Sequence, residues 1–195
     1  MKTSFVAPAA VLAAALLTLV HSSSQSKAQH LVLVSENEPG QHLIIRGIVY
    51  APDGVTPVSG LQLGVHNADS MGYYCMPPSE ERDHTLPRDN CPDAPPTTAR
   101  IRGSLTTDAQ GRFEIHTVKP GAYPRRNIPA HIHFKAFGAG YPEQWLHDLN
   151  FAGDPFLPAA EVDAARQAGK FSYVCEPQRE RNALVCAYNI RLERK

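Results

Sequence analysis

Six consecutive residues, Pro129-Ala130-His131-Ile132-His133-Phe134, carry the clearest chemical signal in the chain. On a β-strand, side chains two apart leave the same face, so His131 and His133 project together while Ile132 and Phe134 turn toward a core. Paired imidazoles beside an apolar face are what a strand contributes to a metal site; alone, H-x-H equally fits two satisfied, half-buried histidines. Two phenols extend the pattern. The rigid turn Lys119-Pro120-Gly121-Ala122-Tyr123-Pro124 presents a tyrosine eight residues before His131, and Gly72-Tyr73-Tyr74 offers another at the end of a strand-like segment. A phenol has an ordinary pKa of about 10, so it ligates only a metal acidic enough to take its proton. Ferric iron does so and accepts imidazole as well, whereas zinc more often draws a third histidine, a carboxylate or thiolates.

Short strands must position these groups. His42 to Tyr50 is a β-branched run ended by the turn Pro52-Asp53-Gly54, and Pro57 to Val65 reads as a second strand. Ile101 to Thr106 and Arg112 to Thr117 flank Thr107-Asp108-Ala109-Gln110-Gly111, a hairpin signature. Ala130 to Phe137 is a strong strand, and only Ala159 to Gly169 has a helical pattern. Residues 75–100 are proline-rich and aperiodic, which predicts a long surface loop. The class is all-β, a two-sheet β-sandwich with long loops and little helix.

Composition agrees. The 195 residues include 17 prolines and 13 glycines with 19% charged side chains, which suits strands and turns rather than a helical bundle. At 43% hydrophobic the chain can bury a core, and 19 basic against 19 acidic residues leave no charge footprint for nucleic acid or an anionic membrane. Lys2, the apolar run Phe5 to Val20 and the small-x-small triplet Ser26-Lys27-Ala28 predict a secretory signal over 1–28, cleaved after Ala28. An N-terminal arm over 29–43 and one domain over 44–195 complete the expected organisation. The product is then exported, periplasmic or extracellular, with no membrane association after cleavage. In an oxidising compartment the four cysteines read as disulfides. Cys175 and Cys186 flank two strand-like runs joined by the charged turn Glu176 to Asn182, so a Cys175–Cys186 bridge would staple a hairpin and leave Cys75–Cys91 to close the proline-rich loop.

Several segments together resemble the intradiol ring-cleavage dioxygenases, nearest the protocatechuate 3,4-dioxygenase branch. They are the hairpin from Arg102 to Phe113, Thr117 to Pro124 and the Pro129 to Phe134 hexapeptide. Gly47-Ile48-Val49 with Asp53 to Val58, His66 to Tyr74 (against W-Q-A-D-x-x-G-x-Y), and Phe151-Ala152-Gly153-Asp154-Pro155 (against F-x-G-D-P) add to them. The resemblance spans about residues 44–192. It implies a non-haem Fe(3+) centre held by Tyr74, Tyr123, His131 and His133, with Tyr74 rather than Tyr73 matching G-x-Y. It also implies a catechol-type substrate that binds through both hydroxyls and displaces Tyr123. With O2, the ring would open between the two hydroxyl-bearing carbons to a dicarboxylate. Because two related chains pair in that branch, a homo- or hetero-oligomer is among the expectations.

Three positions depart from the family pattern. The arginine three residues before the first histidine is Ile128 here, so Arg125 or Arg126 is expected to supply the charge facing the substrate; Arg126 joins Tyr123 as a catalytic candidate. The glutamine before F-x-G-D is Asp148, and the tryptophan of W-Q-A-D is His66. Of the other histidines, His116 alternates along a strand toward solvent or a neighbouring strand, His84 lies in a charged loop, and His66 and His147 fall within reach of the site. Trp145 and Phe137 are candidates for the core, which is favoured, or for a pocket wall. Two other functions fit the same residues: a secreted, non-catalytic β-sandwich binding module, and a zinc-dependent hydrolase built on His131 and His133.

Overall fold

A computed structural model of the chain describes residues 29–74, 99–123 and 126–194. The expected signal, the Cys75–Cys91 pairing, His84 and Arg125 lie outside the described residues. Strands run in the order β1 (Gln29–Val32), β2 (His42–Tyr50), β3 (Gln62–Asn67), β4 (Ile101–Thr106), β5 (Arg112–Val118) and β6 (His131–Gly138). They continue as β7 (Tyr141–Trp145), β8 (Leu149–Phe151), β9 (Val174–Cys175), β10 (Gln178–Glu180), β11 (Ala183–Ala187) and β12 (Ile190–Arg191). Among the described residues one α-helix, α1 (Ala159–Gln167), precedes a 3-10 turn at Gly169–Phe171. Among the described residues no helix is long and apolar enough to cross a membrane.

The strands form two six-stranded sheets, so the chain is an all-β sandwich. The first sheet runs β1-β5-β2-β11-β10 with β12 also on β2; the second runs β4-β3-β6-β8-β9 with β7 on β6. Alternation dictates which residues meet between them. Leu43 and Ile45 of β2, Phe113 and Ile115 of β5, Leu63 and Val65 of β3, and Ile132 and Phe134 of β6 are at most 2% exposed and pack as one core. The Phe134 ring sits edge-on to Tyr188 at 4.9 Å between centroids.

Turn chemistry sets the connection between β4 and β5, which do not pair as the expected hairpin: β4 lies on β3 in the second sheet and β5 on β2 and β1 in the first, so the turn carries the chain from one sheet to the other. Asp108 Oδ1 accepts from the backbone N–H groups of Gln110 and Arg112, both at 2.8 Å, and Oδ2 accepts from Arg112 Nε at 2.8 Å. Gly111 has φ +71°, and a Cβ there would stand 2.8 Å from the Val49 carbonyl, so the turn needs glycine twice over.

Four further local expectations are revised. The strand predicted from Pro57 begins at Gln62; Pro57 makes only an isolated bridge to Tyr50. Gln29–Val32, within the stretch expected as an arm, is an edge strand on β5. Trp145 is 62% exposed rather than in the core, because it faces outward opposite Lys135 while its neighbour Gln144 turns inward. Cys175 and Cys186 are bonded, with Cα atoms 5.7 Å apart, but they do not staple a hairpin. Cys175 belongs to β9 in the second sheet and Cys186 to β11 in the first, and the intervening turn contains β10. The bridge therefore clamps one sheet to the other.

Closing a loop of 11 residues' separation restricts the unfolded chain by about 3 kcal/mol. Replacing both Cys175 and Cys186 by serine is expected to lower the free energy of unfolding by about 2–3 kcal/mol in urea titration, with the far-ultraviolet spectrum of the folded protein unchanged.

Candidate metal centre

The two sheets meet at one end of the sandwich, and each contributes there. From the first sheet, β5 runs out into the turn that carries Tyr123. From the second, β3 leads through a turn to Tyr74, and β6 opens with His131 and His133. Asp69 couples the two tyrosine-bearing turns. Its Oδ1 accepts from the N–H groups of Met71 (2.9 Å) and Tyr73 (3.0 Å), which shapes the turn before Tyr74. Its carbonyl accepts from the N–H groups of Gly72 (3.0 Å) and Gly121 (2.9 Å), the latter on the Tyr123 turn. The approach is so close that a Cβ on Gly121 would stand 2.6 Å from the Ser70 carbonyl oxygen. Beneath it, the fully buried Asn67 accepts from the Thr117 hydroxyl at 3.0 Å, a second tie between β3 and β5.

The four side chains converge tip to tip. Tyr123 Oη lies 3.1 Å from His131 Nε2, His131 Nε2 lies 3.1 Å from His133 Nε2, and His133 Nε2 lies 2.9 Å from Tyr74 Oη. A short hydrogen bond between the Tyr74 and Tyr123 hydroxyls closes the quadrilateral. Metal–nitrogen bonds of about 2.0–2.1 Å place neighbouring donors about 2.8–3.4 Å apart, so the three edges that involve a histidine nitrogen suit a single ion.

The groups behind the histidines select the form a metal requires. His131 Nδ1 donates to the Pro129 carbonyl at 2.7 Å, and His133 Nδ1 donates to Asp148 Oδ1 at 2.7 Å. Both Nε2 atoms therefore carry free lone pairs directed at the quadrilateral. Burial holds the His131 pKa below its ordinary value despite the Pro129 carbonyl, so the ring is neutral. Asp148, His131 and His133 could by distance form a three-ligand set. Asp148 instead meets the outer nitrogen of His133, where it orients the ring and leaves the inner positions to the phenols. Asp154 holds the start of β6: its Oδ2 accepts from the Ala130 N–H at 3.0 Å.

Burial, the hydrogen bond with Tyr123 and that phenol's own charge all push the Tyr74 pKa up. Two phenolates about 3 Å apart repel by about 5 kcal/mol at an effective dielectric near 20, so without a cation the pair stays protonated. Those edges, two imidazoles in the ligating tautomer and two phenols that need a strong Lewis acid to ionise fit a ferric ion.

Sequence alone did not pair Asp148 with His133 or place His66. The ladder does both. His131 faces Asn150 and Ile132 faces Leu149, so the next antiparallel step sets Asp148 opposite His133. His66 is the register partner of His133 on β3, and the rings stack at 4.5 Å and 24°. Burial lowers the His66 pKa to about 4, helped by the His133 and His131 rings, so a neutral ring backs the site. Arg126 is exposed, and its N–H donates to the Tyr123 carbonyl at 3.2 Å, which makes it part of the same turn. His147 lies away from the quadrilateral, stacked on Tyr173 at 4.4 Å. It helps line a separate cavity of about 290 Å³, with Gln144, Trp145, Phe171 and Tyr188, that none of the four donor residues borders.

The model of the family described as Dioxygenase matches residues 18–194. The chain belongs to the intradiol dioxygenase family. Within it, the chain is 32% identical over 130 residues to the protocatechuate 3,4-dioxygenase beta chain of Burkholderia cepacia, covering 64% of this chain and 51% of that one. It is 28% identical over 144 residues to catechol 1,2-dioxygenase 2 of Acinetobacter lwoffii, covering 66% and 46%. The chain thus spans about half the length of the curated relatives it matches. Among solved structures, the dioxygenase domain of a dioxygenase carbohydrate-binding protein fusion from Streptomyces sp. SirexAA-E superposes with a TM-score of 0.59 at 24% identity, covering 85% of this chain and 89% of that one. The intradiol ring-cleavage dioxygenase of Tetranychus urticae gives 0.52 at 16% identity, covering 86% and 87%. Both share the sandwich fold of this chain.

Gly121→Ala is expected to force the two tyrosine-bearing turns apart. The variant should keep its strand content by circular dichroism and lose high-affinity metal binding, measured as metal bound per chain after equilibrium dialysis.

Proposed function

We propose that the protein is a non-haem Fe(III) dioxygenase that opens a catechol-type ring between its two hydroxyl-bearing carbons with O2, yielding a ring-opened dicarboxylate. The observation that carries this reading is the closed quadrilateral of Tyr74 Oη, Tyr123 Oη, His131 Nε2 and His133 Nε2. When bound, ferric iron would supply the Lewis acidity that ionises phenols and draws electron density from a catechol, so that a ring carbon reacts with O2.

The roles of the chain's own groups follow from how each is held. Tyr74, His131 and His133 fix the geometry: Tyr74 lies between the Asp69 turn and its carbonyl's hydrogen bond from the Arg100 N–H (2.9 Å), and the histidines are set by Pro129 and Asp148. Tyr123 is the proposed exchangeable group, by its place in Pro120-Gly121-Ala122-Tyr123-Pro124. Its Oη takes a proton from an incoming catechol hydroxyl and withdraws as a neutral phenol. Arg126, tied by its N–H to the Tyr123 carbonyl, is the proposed cation at the substrate side. His66, neutral and stacked on His133, stands where the family's tryptophan stands, so it is proposed to shape the pocket wall. The proposal includes export, which the Cys175–Cys186 bridge supports because disulfides persist in oxidising compartments.

The test is oxygen consumption by the iron-loaded protein with catechol and with protocatechuate, followed by mass analysis of the product formed under 18O2. Uptake of one O2 per catechol, with both labelled atoms in a dicarboxylate, is expected. Iron-loaded protein that consumes no oxygen with either compound would instead support the binding module. Asp148→Ala removes the orienting carboxylate from His133 and is expected to weaken iron binding by about 10–100-fold, read by competition with a chelator.

A further inference from the structure

The outer face of the first sheet gathers a second set of metal-binding groups that ring cleavage does not use. On β5, Phe113 and Ile115 point into the core, so Glu114 and His116, between and beyond them, leave the opposite face. β1 runs parallel to β5 with His30 opposite Glu114 and Val32 opposite His116. Since Leu31 packs inward, His30 shares the outer face. The result is a cluster from two strands: one ligand atom each from His30, Glu114 and His116, all within 4.8 Å of one another. The His30 and His116 rings stand 4.3 Å apart at 56°.

The carboxylate is held as a ligand would be. Glu114 Oε2 accepts from Arg46 Nε at 2.7 Å, and Arg46 is braced by Glu180 at 3.3 Å. That leaves Oε1 for the cluster, where it meets His116 Nε2 at 2.6 Å. Glu114 and His116 are half-buried, and only the His30 ring is exposed and free to turn the remaining distance.

We propose that His30, Glu114 and His116 bind a divalent transition-metal ion, zinc by the nature of the donors, and that this ion staples β1 to β5. Two imidazoles and one carboxylate are a donor set that zinc accepts, with water completing the shell. Calcium and magnesium would call for more oxygen ligands. The set holds no phenol, so it lacks the feature that suits the sandwich-end site to ferric iron. β1 has reason to need a staple. It is four residues long, its one ladder partner among the described residues is β5, and Gln29, His30 and Val32 are exposed. An ion bridging His30 to Glu114 and His116 links the strand to the sheet through side chains and stabilises the folded state by its binding free energy.

The experiment is a zinc titration by calorimetry, with amide hydrogen exchange before and after zinc. It compares the wild-type chain, His30→Ala, His116→Ala, Arg46→Ala and the double variant His131→Ala/His133→Ala. The wild type should bind one more equivalent of zinc than His30→Ala or His116→Ala, and the double variant should retain that equivalent. Saturating zinc should slow exchange at Gln29–Val32 in the wild type, the double variant and Arg46→Ala, and not in His30→Ala or His116→Ala. Arg46→Ala should keep the stoichiometry and weaken this equivalent by about 10-fold or more, which a merely structural arginine would not do. Equal zinc stoichiometry and equal exchange at Gln29–Val32 in the wild type and His116→Ala would overturn the proposal.

Discussion

The hydrogen bond from the Gly121 N–H to the Asp69 carbonyl joins the two halves of the candidate metal centre. Tyr74 follows a strand of one sheet and Tyr123 a strand of the other, so their hydroxyls meet only if the turns carrying them are held together. Asp69 acts on both turns at once: its carboxylate folds the residues before Tyr74, and its carbonyl receives Gly121. Glycine at 121 lets the backbones approach, and the Asn67–Thr117 bond keeps the strand ends beneath them in step. The sandwich core positions the sheets. This short polar seam positions the chemistry.

Electrostatics then gives the assembled site its character. The imidazoles are turned by Pro129 and Asp148 so that their lone pairs face inward, and burial keeps His131 neutral. The phenols lie beside one another, partly buried, and burial together with the neighbouring phenol opposes ionisation of Tyr74. Such a set is poorly matched to a soft or weakly acidic ion and well matched to a small, highly charged one, whose field repays the loss of two protons. The same sandwich carries, on its outer face, two histidines and a glutamate, a donor set that includes no phenol. Donor type, rather than fold, separates the ions the two places suit.

Much of this was legible in the sequence because it depends on neighbours along the chain. The β-branched run over His42–Tyr50 forms a strand with those bounds, the Asp108 turn forms in place although it joins the two sheets rather than a hairpin, and the alternation around His131 and His133 turns Ile132 and Phe134 inward. What spacing could not show are contacts set by ladder register between strands distant in sequence. The stacking of His66 on His133 comes from β3–β6 pairing, and the reach of Asp148 to His133 comes from β6–β8 pairing. The Cys175–Cys186 bridge looked like a hairpin staple because its residues are close in sequence; the chain changes sheets between them. Trp145 reads as core by its type, yet it faces outward, with Lys135 Nζ 5.2 Å from its ring centroid.

The central claim is that two phenols and two imidazoles act together on one ferric ion. Resonance Raman spectroscopy of the iron-loaded protein, excited in its visible charge-transfer band and paired with iron analysis, tests it most directly. The account predicts one iron per chain and two distinct tyrosinate signatures. One signature should be lost in Tyr74→Phe and the other in Tyr123→Phe. Iron bound without any tyrosinate signature would contradict it.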